Sequence, residues 1–350
     1  MSTTELDQQT MPQQAPSPAD RMLQYLGGFW IARAITAAAN LGVADHLTNG
    51  PQSVEALAQA TNSHAPSLYR LMRALCGAGV FNEVSPRVFA STELGDTLRS
   101  GVHGSLRSAF VTGIGDDHYD AWADITHSVQ TGEIAFDHVF EQPIWKFYQA
   151  NETNGRKFNQ YMTDLTQVID AAAMDAYREE FARFTHLVDV GGGHGSLISA
   201  VLRGSPAMRG TVYDLPHVVE GTRKNLSAAG LAGRCEAVGG DFFQSVPAGG
   251  DGYMMKFIIH DWEPERAKLI LSNVRKSIRP DGRLLLLETV VPEGNDMHFS
   301  KLMDLNMLVM TGGRERTEKE YAELLAAGGF KLRRVVPTES VISIIEAEPA

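Results

Sequence analysis

Short apolar runs alternate with helical stretches over the second half of the chain, from Thr185 onward. The runs are HLVDV, TVYDL, CEAVGG, YMMKFII and RLLLLETVV. Strands that alternate with helices at this spacing indicate a parallel sheet with helices on both faces. The chain then ends in KLRRVVP and SVISIIEAE, which predict an antiparallel strand pair at the end of that sheet. Such a pair departs from the standard dinucleotide-binding order.

A glycine-rich turn follows the first of these strands, in the segment LVDVGGGHGS from Leu187 to Ser196. Glycine is needed where the backbone turns tightly and approaches a ligand closely, and ligands of open α/β sheets bind at the carboxyl ends of strands. The spacing from Gly191 is G-x-G-x-G, whereas the dinucleotide fingerprint is G-x-G-x-x-G. The segment therefore favours S-adenosylmethionine over NAD, with Asp189, Gly191 and Gly193 as candidate cofactor contacts.

Acidic residues stand at the ends of the next two strands. The carboxylate of Asp214, in TVYDLP, can accept hydrogen bonds from both hydroxyls of a ribose. Asp241, in GGDFF, can accept from an adenine amino group while Phe242 stacks on the ring. Each aspartate alone also fits a helix N-cap. Three acids at successive strand ends, beside one glycine turn, favour a nucleoside cofactor.

A histidine and two glutamates are the candidate catalytic groups. The fourth strand is expected to end in KFIIHDW, which places His260 at the same edge of the sheet as the glycine turn. A histidine with its usual pKa of about 6.5 can accept a proton near neutral pH, although a phenol has a pKa of about 10. Glu288 ends the fifth strand and Glu315 lies in GGRERT, so either carboxylate can orient the imidazole. A lone histidine there also fits an N-cap or a surface group.

Two helical regions are candidates for the wall of a substrate pocket. The segment FSKLMDLNMLVM carries Met303, Asn306 and Met307 at near-helical spacing. Methionine suits a flat aromatic ligand because it is flexible and polarizable, but the same spacing also fits a core helix. Residues 103–182 form a second, aromatic-rich helical region, for which core packing is the simpler interpretation and a few pocket-lining residues remain an alternative.

The N-terminal part, from about Met22 to Val102, predicts short helices and one small hairpin. That outline resembles a winged helix, which raises a DNA-binding hypothesis. Four arginines of its second half are matched by four acids, and the whole chain carries a formal charge of −11. Because DNA binding requires a basic face, packing or dimerisation is the favoured role. The residues in question are Arg70, Arg73, Arg87, Arg99, Glu55, Glu83, Glu93 and Asp96.

The first twenty residues are rich in Gln, Pro, Ser and Thr, and they predict a flexible tail without the order of a signal peptide. No apolar run reaches the roughly 20 residues that span a bilayer. The nearest candidate, Gly27 to Ala44, contains Arg33 and Asn40 and fits a buried helix better. The chain has only two cysteines, which are far apart, so we expect a reduced, cytoplasmic setting.

The ordered set VDVGGGHG, YDLP, GDFF, KFIIHDW, ETVVP and GGRERT resembles the S-adenosylmethionine-dependent small-molecule O-methyltransferases, which include plant caffeate and flavonoid enzymes and bacterial natural-product relatives. The match covers nearly the whole chain. It implies a Rossmann-like class I methyltransferase domain with an antiparallel last strand, preceded by a winged-helix-like dimerisation domain. The implied division is a tail at 1–20, a dimerisation domain at 21–102, a helical pocket region at 103–184 and a catalytic domain at 185–350.

The resemblance also implies roles for individual residues. His260 corresponds to the catalytic base, with Glu288 and Glu315 as the flanking carboxylates. The implied cofactor contacts are Asp189, Gly191, Gly193, Asp214, Leu215, Asp241, Phe242 and Lys256. The implied substrate contacts are Phe158, Met162, Asp261, Met303, Asn306 and Met307. Phe257 stands where plant members often have Trp.

The activity implied is methylation of a hydroxyl, with a phenol as the favoured acceptor, on a small aromatic molecule by a homodimer, without metal, nucleic acid or membrane as partner. Two alternatives stay open at this point. One is methylation of nitrogen or carbon, or an altered reaction on a natural product. The other is a non-enzymatic protein that binds DNA through its winged helix or senses the cofactor.

Overall fold

The computed structural model describes residues 16–350, with the side chains of Asp116, Gln167 and Val168 left aside. The chain divides into two compact units between Ser100 and Gly101. Most of the predicted tail lies outside the described residues. Its last three residues belong to the first helix, which begins at Pro18 because Ser17 and Asp20 form a capping box.

The first unit consists of helices around a small antiparallel sheet of order β1-β3-β2. The predicted hairpin is confirmed as β2 and β3, and the third strand, only two residues long, was not predicted. The elements are α1 (Pro18–Leu41), α2 (Val43–His46), β1 (Gln52–Ser53), α3 (Val54–Ala60), α4 (Ala65–Gly77), β2 (Phe81–Ser85), β3 (Val88–Ser91) and α5 (Glu93–Asp96).

Helix α1 differs from the buried helix that its composition predicts. Only Thr36, Ala38 and Ala39 of this helix are buried. Its N-terminal half exposes a group of large apolar side chains, among them Met22, Leu23, Tyr25, Leu26, Trp30 and Ile31. The prediction of a buried helix covers Gly27 to Ala44 and is wrong at Trp30 and Ile31, because apolar composition alone does not tell a core helix from one that keeps apolar side chains at the surface.

The second unit begins with six helices, as the aromatic-rich region predicts. They are α6 (Arg107–Thr112), α7 (Asp116–Ala123), α8 (Ile125–Thr131), α9 (Ala135–Phe140), α10 (Ile144–Ala150) and α11 (Glu152–Phe181). Within residues 16–350, none of the helices combines the length and the apolar character that crossing a bilayer requires.

The rest of the second unit is a seven-stranded sheet of order β6-β5-β4-β7-β8-β10-β9 with helices between the strands. Five strands are parallel, and β10 pairs antiparallel with both β8 and β9, which confirms the predicted fold class. The elements are β4 (His186–Val190), α12 (Ser196–Gly204), β5 (Arg209–Asp214), α13 (Val219–Ala228), β6 (Cys235–Gly239), β7 (Gly252–Lys256), α14 (Pro264–Ser277), β8 (Arg283–Glu288), α15 (Phe299–Met310), α16 (Glu318–Ala327), β9 (Phe330–Pro337) and β10 (Ser343–Pro349).

The sheet is covered on both faces, so its strands are apolar at nearly every position. In β8, Leu285 and Leu287 join one core cluster, whereas Leu284 and Leu286 join the cluster on the opposite face. Successive side chains of a strand point to opposite faces, and each fully buried leucine contributes roughly 1.5–3 kcal/mol. The uninterrupted run RLLLLE therefore follows from the two-sided core.

The predicted end of the fourth strand is wrong by several residues. Strand β7 ends at Lys256, and Phe257 has a φ of 54°, which turns the chain out of the sheet. A single 3-10 turn, Ile259–Asp261, follows and carries His260. The backbone N–H groups of Ile258 and Ile259 donate to the carboxylate of Glu288 instead of continuing the ladder. That buried carboxylate is the physical reason why the strand stops.

Candidate active site

The glycine turn lies between β4 and α12 at the carboxyl edge of the sheet. Gly191, Gly193 and Gly195 all have positive φ, as a tight turn without Cβ atoms allows. A Cβ atom on Gly191 would lie 2.4 Å from Cδ1 of Ile258, whereas one on Gly193 would meet nothing within 4 Å. The turn is therefore packed against the protein on one side and leaves backbone open to a ligand on the other.

The predicted acids lie around this turn. Asp214 accepts hydrogen bonds from the backbone N–H of Gly193 at 2.8 Å and of Leu215 at 2.7 Å, and burial raises its pKa. Asp189 lies beneath the turn, fully buried, and its Oδ2 has no hydrogen-bond partner. Burial, aided by Asp170 and Asp214 and opposed by Lys256, raises the pKa of Asp189 to about 7. Both aspartates thus pack against or bond to the glycine turn as well as line it.

Asp241 and Phe242 follow β6 at the same edge. One oxygen of Asp241 accepts from the backbone N–H of Phe243 at 2.9 Å, so this aspartate stabilises a local turn and is not the helix N-cap that its sequence position also allowed. The ring of Phe242 lies within 3.8 Å of the position that a Cβ atom on Gly191 would take. An aromatic ring thus stands beside the glycine turn, as expected for stacking on a flat base.

Lys256 ends β7 and bonds to a residue that the sequence interpretation missed. Its Nζ donates to Oδ1 of Asp170, on α11, at 2.5 Å, and Ser196 Oγ donates to the other oxygen at 2.9 Å. Asp170 is buried although it carries a charge. The sequence did hold a pattern that points to Asp170, because this residue follows Met162 by about two helical turns and therefore lies on the same side of the helix as a predicted pocket residue.

His260 is buried among carboxylates, three of which were named from the sequence. Its Nδ1 donates to Oε1 of Glu315 at 2.8 Å and lies 3.7 Å from Oε2 of Glu288. Its Nε2 lies 3.8 Å from Oδ1 of Asp261. The structure therefore brings His260, Glu288, Glu315 and Asp261 together. Since Nδ1 is engaged by Glu315, Nε2 is the nitrogen that can accept a substrate proton.

The carboxylates determine the basicity of this histidine. Burial by itself lowers the pKa of His260, but the negative charges of Glu288, Asp261 and Glu315 outweigh burial and raise the pKa to about 10. Burial raises the pKa of Glu288 to about 7 and that of Asp261 to about 6. The cluster therefore holds protons at neutral pH and makes His260 a stronger base than an isolated imidazole.

Two further features that the sequence did not reveal hold the histidine in place. The ring of Phe257 stacks on the imidazole with centroids 5.1 Å apart and planes 20° apart. The buried guanidinium of Arg316 donates to the backbone oxygens of Ile259 and Trp262, on either side of His260. The backbone oxygen of His260 also lies 1.9 Å from the position that a Cβ atom on Gly313 would take. Glycine is required there.

Five of the six predicted substrate contacts lie on two helices, and the sixth, Asp261, lies in the 3-10 turn beside His260. On α11, Phe158 stacks on Tyr148 with centroids 4.7 Å apart, and Met162 packs beside the main core cluster. On α15, Met303 and Asn306 are half-buried and Met307 is buried. Trp122, on α7, was not predicted; its indole N–H donates to Oδ1 of Asn306 at 2.9 Å. This bond fixes the amide of Asn306.

Two groups of described side chains have the spacing of metal ligands. In each group the ligand atoms lie within 4.8 Å of one another. One group is His260, Glu288 and Glu315, and the other is Asp124, His127 and His138. In the first group, one oxygen of Glu288 already accepts two backbone N–H groups and one oxygen of Glu315 accepts the imidazole N–H. The sequence interpretation had recognised neither group as a candidate metal site.

Models of two protein families match the chain. The O-methyltransferase domain matches residues 122–331, and the O-methyltransferase dimerisation domain matches residues 23–101. The chain belongs to the S-adenosylmethionine-dependent small-molecule O-methyltransferase family.

Relatives with assigned activities support this membership. The chain is 42% identical to the phenazine O-methyltransferase PhzM of Lysobacter antibioticus, over 94% of this chain and 95% of that one. It is 37% identical to the mitomycin biosynthesis 6-O-methyltransferase of Streptomyces lavendulae, over 89% of each chain. It is 33% identical to the 8-amino-8-demethylriboflavin N,N-dimethyltransferase of Streptomyces davaonensis, over 94% of each chain.

Solved structures agree with the fold and with the cofactor. The crystal structure of LaPhzM superimposes with a TM-score of 0.89 at 41% identity, over 96% of this chain and 100% of that one. The O-methyltransferase NcsB1 from neocarzinostatin biosynthesis, solved with S-adenosylmethionine and 2-hydroxy-5-methyl naphthoic acid, gives a TM-score of 0.77 at 31% identity, over 91% of this chain and 96% of that one.

Proposed function

We propose that this enzyme methylates a phenolic hydroxyl of a small aromatic molecule, with His260 as the general base. The observation that carries the proposal is the buried His260, whose Nδ1 is bonded to Glu315 at 2.8 Å and whose Nε2 is left for a substrate proton. Two similar relatives are O-methyltransferases named for a phenazine and for mitomycin biosynthesis, which supports an aromatic natural product as the acceptor.

The carboxylates around His260 match its basicity to that of a phenol. A phenol has a pKa of about 10, and the cluster raises the pKa of His260 to about 10. Transfer of the hydroxyl proton to Nε2 is then close to isoenergetic. Glu315 keeps the imidazole oriented through Nδ1, while Glu288 and Asp261 stabilise the imidazolium that results. The bound cofactor supplies the electrophilic methyl group.

The glycine turn and its acids fit the cofactor. Gly193 offers open backbone, Asp214 ends β5 beside the turn, where a ribose contact is proposed, and Phe242 presents a ring beside the turn. The unpartnered Oδ2 of Asp189, together with the carboxylates of Asp170 and Asp214, surrounds the turn with acidic groups. S-adenosylmethionine carries a sulfonium and an ammonium, so the charge of this site complements the ligand.

The acceptor site is proposed to lie between α11 and α15, on Phe158 and Met162 of the first helix and Met303, Asn306 and Met307 of the second, close to Asp261. Methionine side chains adapt to flat rings, and aromatic rings stack on them. The amide of Asn306, held by Trp122, adds a fixed polar group for orienting an acceptor.

No metal takes part in the proposed chemistry. The charges of Glu288, Asp261 and Glu315 raise the pKa of His260, so histidine is the acid–base group of this cluster. We propose a cytoplasmic homodimer formed through the first unit, with the domain division at residues 20, 102 and 184 that the sequence predicts. The exposed apolar side of α1 and the matching dimerisation family support association of two copies.

A turnover screen tests the proposal. Catechols, flavonoids, anthraquinones and phenazines are offered with S-adenosylmethionine, and release of S-adenosylhomocysteine is measured. Product mass and NMR on one accepted substrate then show which atom carries the methyl group. Methylation of oxygen supports the proposal, and transfer to nitrogen or carbon contradicts it.

A second candidate is N-methylation, favoured by the relative named as an N,N-dimethyltransferase. An amine acceptor has no need of a base matched to a phenol, so its turnover would depend little on His260. A DNA-binding role would instead show salt-dependent affinity for duplex DNA and no turnover with any phenol.

A further inference from the structure

Helix α11 presents one continuous stripe that runs from the proposed acceptor site to the glycine turn. Phe158, Met162, Thr166 and Asp170 recur every four residues, which places them on one side of the helix. The two proposed acceptor contacts come first, and Asp170 follows Met162 by eight residues, or about 12 Å along the axis. The same helix therefore reaches both halves of the site.

Asp170 connects three separate elements at the cofactor end of this stripe. One oxygen accepts from Nζ of Lys256, at the end of β7, at 2.5 Å, and the other accepts from Ser196 Oγ, at the start of α12, at 2.9 Å. Lys256 and Asp170 are both almost entirely buried at their side chains. A buried ion pair with this geometry holds the ammonium in one place, because losing either partner leaves a buried charge uncompensated.

Carboxylates and one buried ammonium group lie together around the turn. Asp189 interacts with Asp170 and Asp214, whose charges raise its pKa, and with Lys256, whose charge lowers it. Asp189 is also left with an unpartnered buried oxygen. An ammonium group of a ligand would favour the charged form of these carboxylates. The groups around the turn therefore suit a ligand with both an ammonium, for the carboxylates, and a carboxylate, for Lys256.

We infer that Asp170 is a positioning residue for the cofactor: it holds Lys256 and Ser196 in place for the zwitterionic amino-acid end of S-adenosylmethionine. The inference rests on the proposed function for the identity of that ligand. It extends the cofactor site from the glycine turn to α11, the helix that also carries Phe158 and Met162.

Equilibrium binding by calorimetry tests the inference without any methyl acceptor. The ligands are S-adenosylmethionine, S-adenosylhomocysteine and 5′-methylthioadenosine, which keeps the nucleoside and lacks the amino-acid end. Asp170→Asn removes the charge at nearly constant volume. We expect this variant to bind the first two ligands about 10- to 100-fold more weakly, the usual effect of losing a hydrogen bond to a charged group. Its affinity for 5′-methylthioadenosine should stay within about twofold of the wild-type value.

The matched control is Asp164→Asn, on the same helix. Asp164 also accepts a hydroxyl hydrogen bond, from Ser108 at 2.7 Å, and lies outside the stripe. It should leave all three affinities unchanged. An equal loss for all three ligands in Asp170→Asn, or no loss for any, overturns the inference.

A second variant keeps the test decisive if Asp170→Asn does not fold. Ser196→Ala removes one hydrogen bond and keeps the carboxylate of Asp170. It should lower the affinity for S-adenosylhomocysteine about threefold and leave the affinity for 5′-methylthioadenosine unchanged. An equal effect on both ligands contradicts the inference. Failure of the wild-type protein to bind S-adenosylmethionine would contradict the proposed function itself, whereas unchanged binding by Asp170→Asn in an active enzyme would contradict only the role of Asp170.

Discussion

The imidazole of His260 is stacked on the ring of Phe257, three residues earlier, and Phe257 holds a φ of 54° to make this possible. A left-handed conformation is uncommon for a bulky residue and persists where the surroundings enforce it. Here the buried carboxylate of Glu288 fixes the two following N–H groups. Phe257 thus turns the chain out of β7, and its ring covers one face of the His260 imidazole.

Phe257→Ala should lower kcat about tenfold and leave the KM for S-adenosylmethionine nearly unchanged. The imidazole loses the ring that limits its rotation, and misplacement of a catalytic group costs rate rather than cofactor affinity. Steady-state kinetics with both substrates measure the two constants. Phe257→Trp is the matched control, because it keeps a stacking ring. A rise in KM for the cofactor with kcat unchanged would contradict this role.

His260→Ala should lower kcat about 10²- to 10⁴-fold, the usual contribution of general base catalysis. Binding of S-adenosylmethionine, measured by calorimetry, should stay within about twofold, since His260 lies in the proton-accepting cluster rather than at the glycine turn. His64→Ala, in the first unit, is the control and should be fully active. Undiminished turnover by His260→Ala would eliminate His260 as the base.

Turnover should rise with pH across the neutral and mildly alkaline range. Because the pKa of His260 is raised to about 10, most of it is protonated at pH 7 and the free-base fraction grows about tenfold per pH unit. Asp261→Asn removes one of the charges that raise this pKa, so the apparent pKa should fall by about one unit. Profiles of kcat against pH for the two proteins test this. A profile that is flat from pH 6 to 9 in the wild type would contradict it.

The sequence predicted the sheet and the alternation of strands and helices along the chain because both follow from local patterns of apolar residues. It also named the members of the His260 cluster, since three of them lie at or near strand ends on one edge. The sequence did not predict where β7 ends, because that depends on Glu288, 30 residues away. It did not predict the contact of Asp170 either, because its partner Lys256 is 86 residues away. Long-range polar contacts leave no local pattern.

Chelation should not affect turnover. In the proposed mechanism His260 acts as a base without a metal ion, although the spacing of His260, Glu288 and Glu315 would also admit an ion. Activity after dialysis against EDTA should stay within about twofold of the untreated enzyme, and added Mg²⁺ or Zn²⁺ should not increase it. A loss that one of these ions restores would mean that the cluster is a metal site.

Leu26→Arg should convert a homodimer into a monomer. Leu26 is exposed on α1 among the apolar side chains of the first unit, and a charge placed in an apolar interface is costly to desolvate. The measurement is sedimentation velocity over a range of protein concentrations. Gln24→Arg adds the same charge at an exposed polar position two residues earlier and should leave the association intact. If Leu26→Arg sediments as the wild-type protein does, the exposed side of α1 is not the surface that joins two copies.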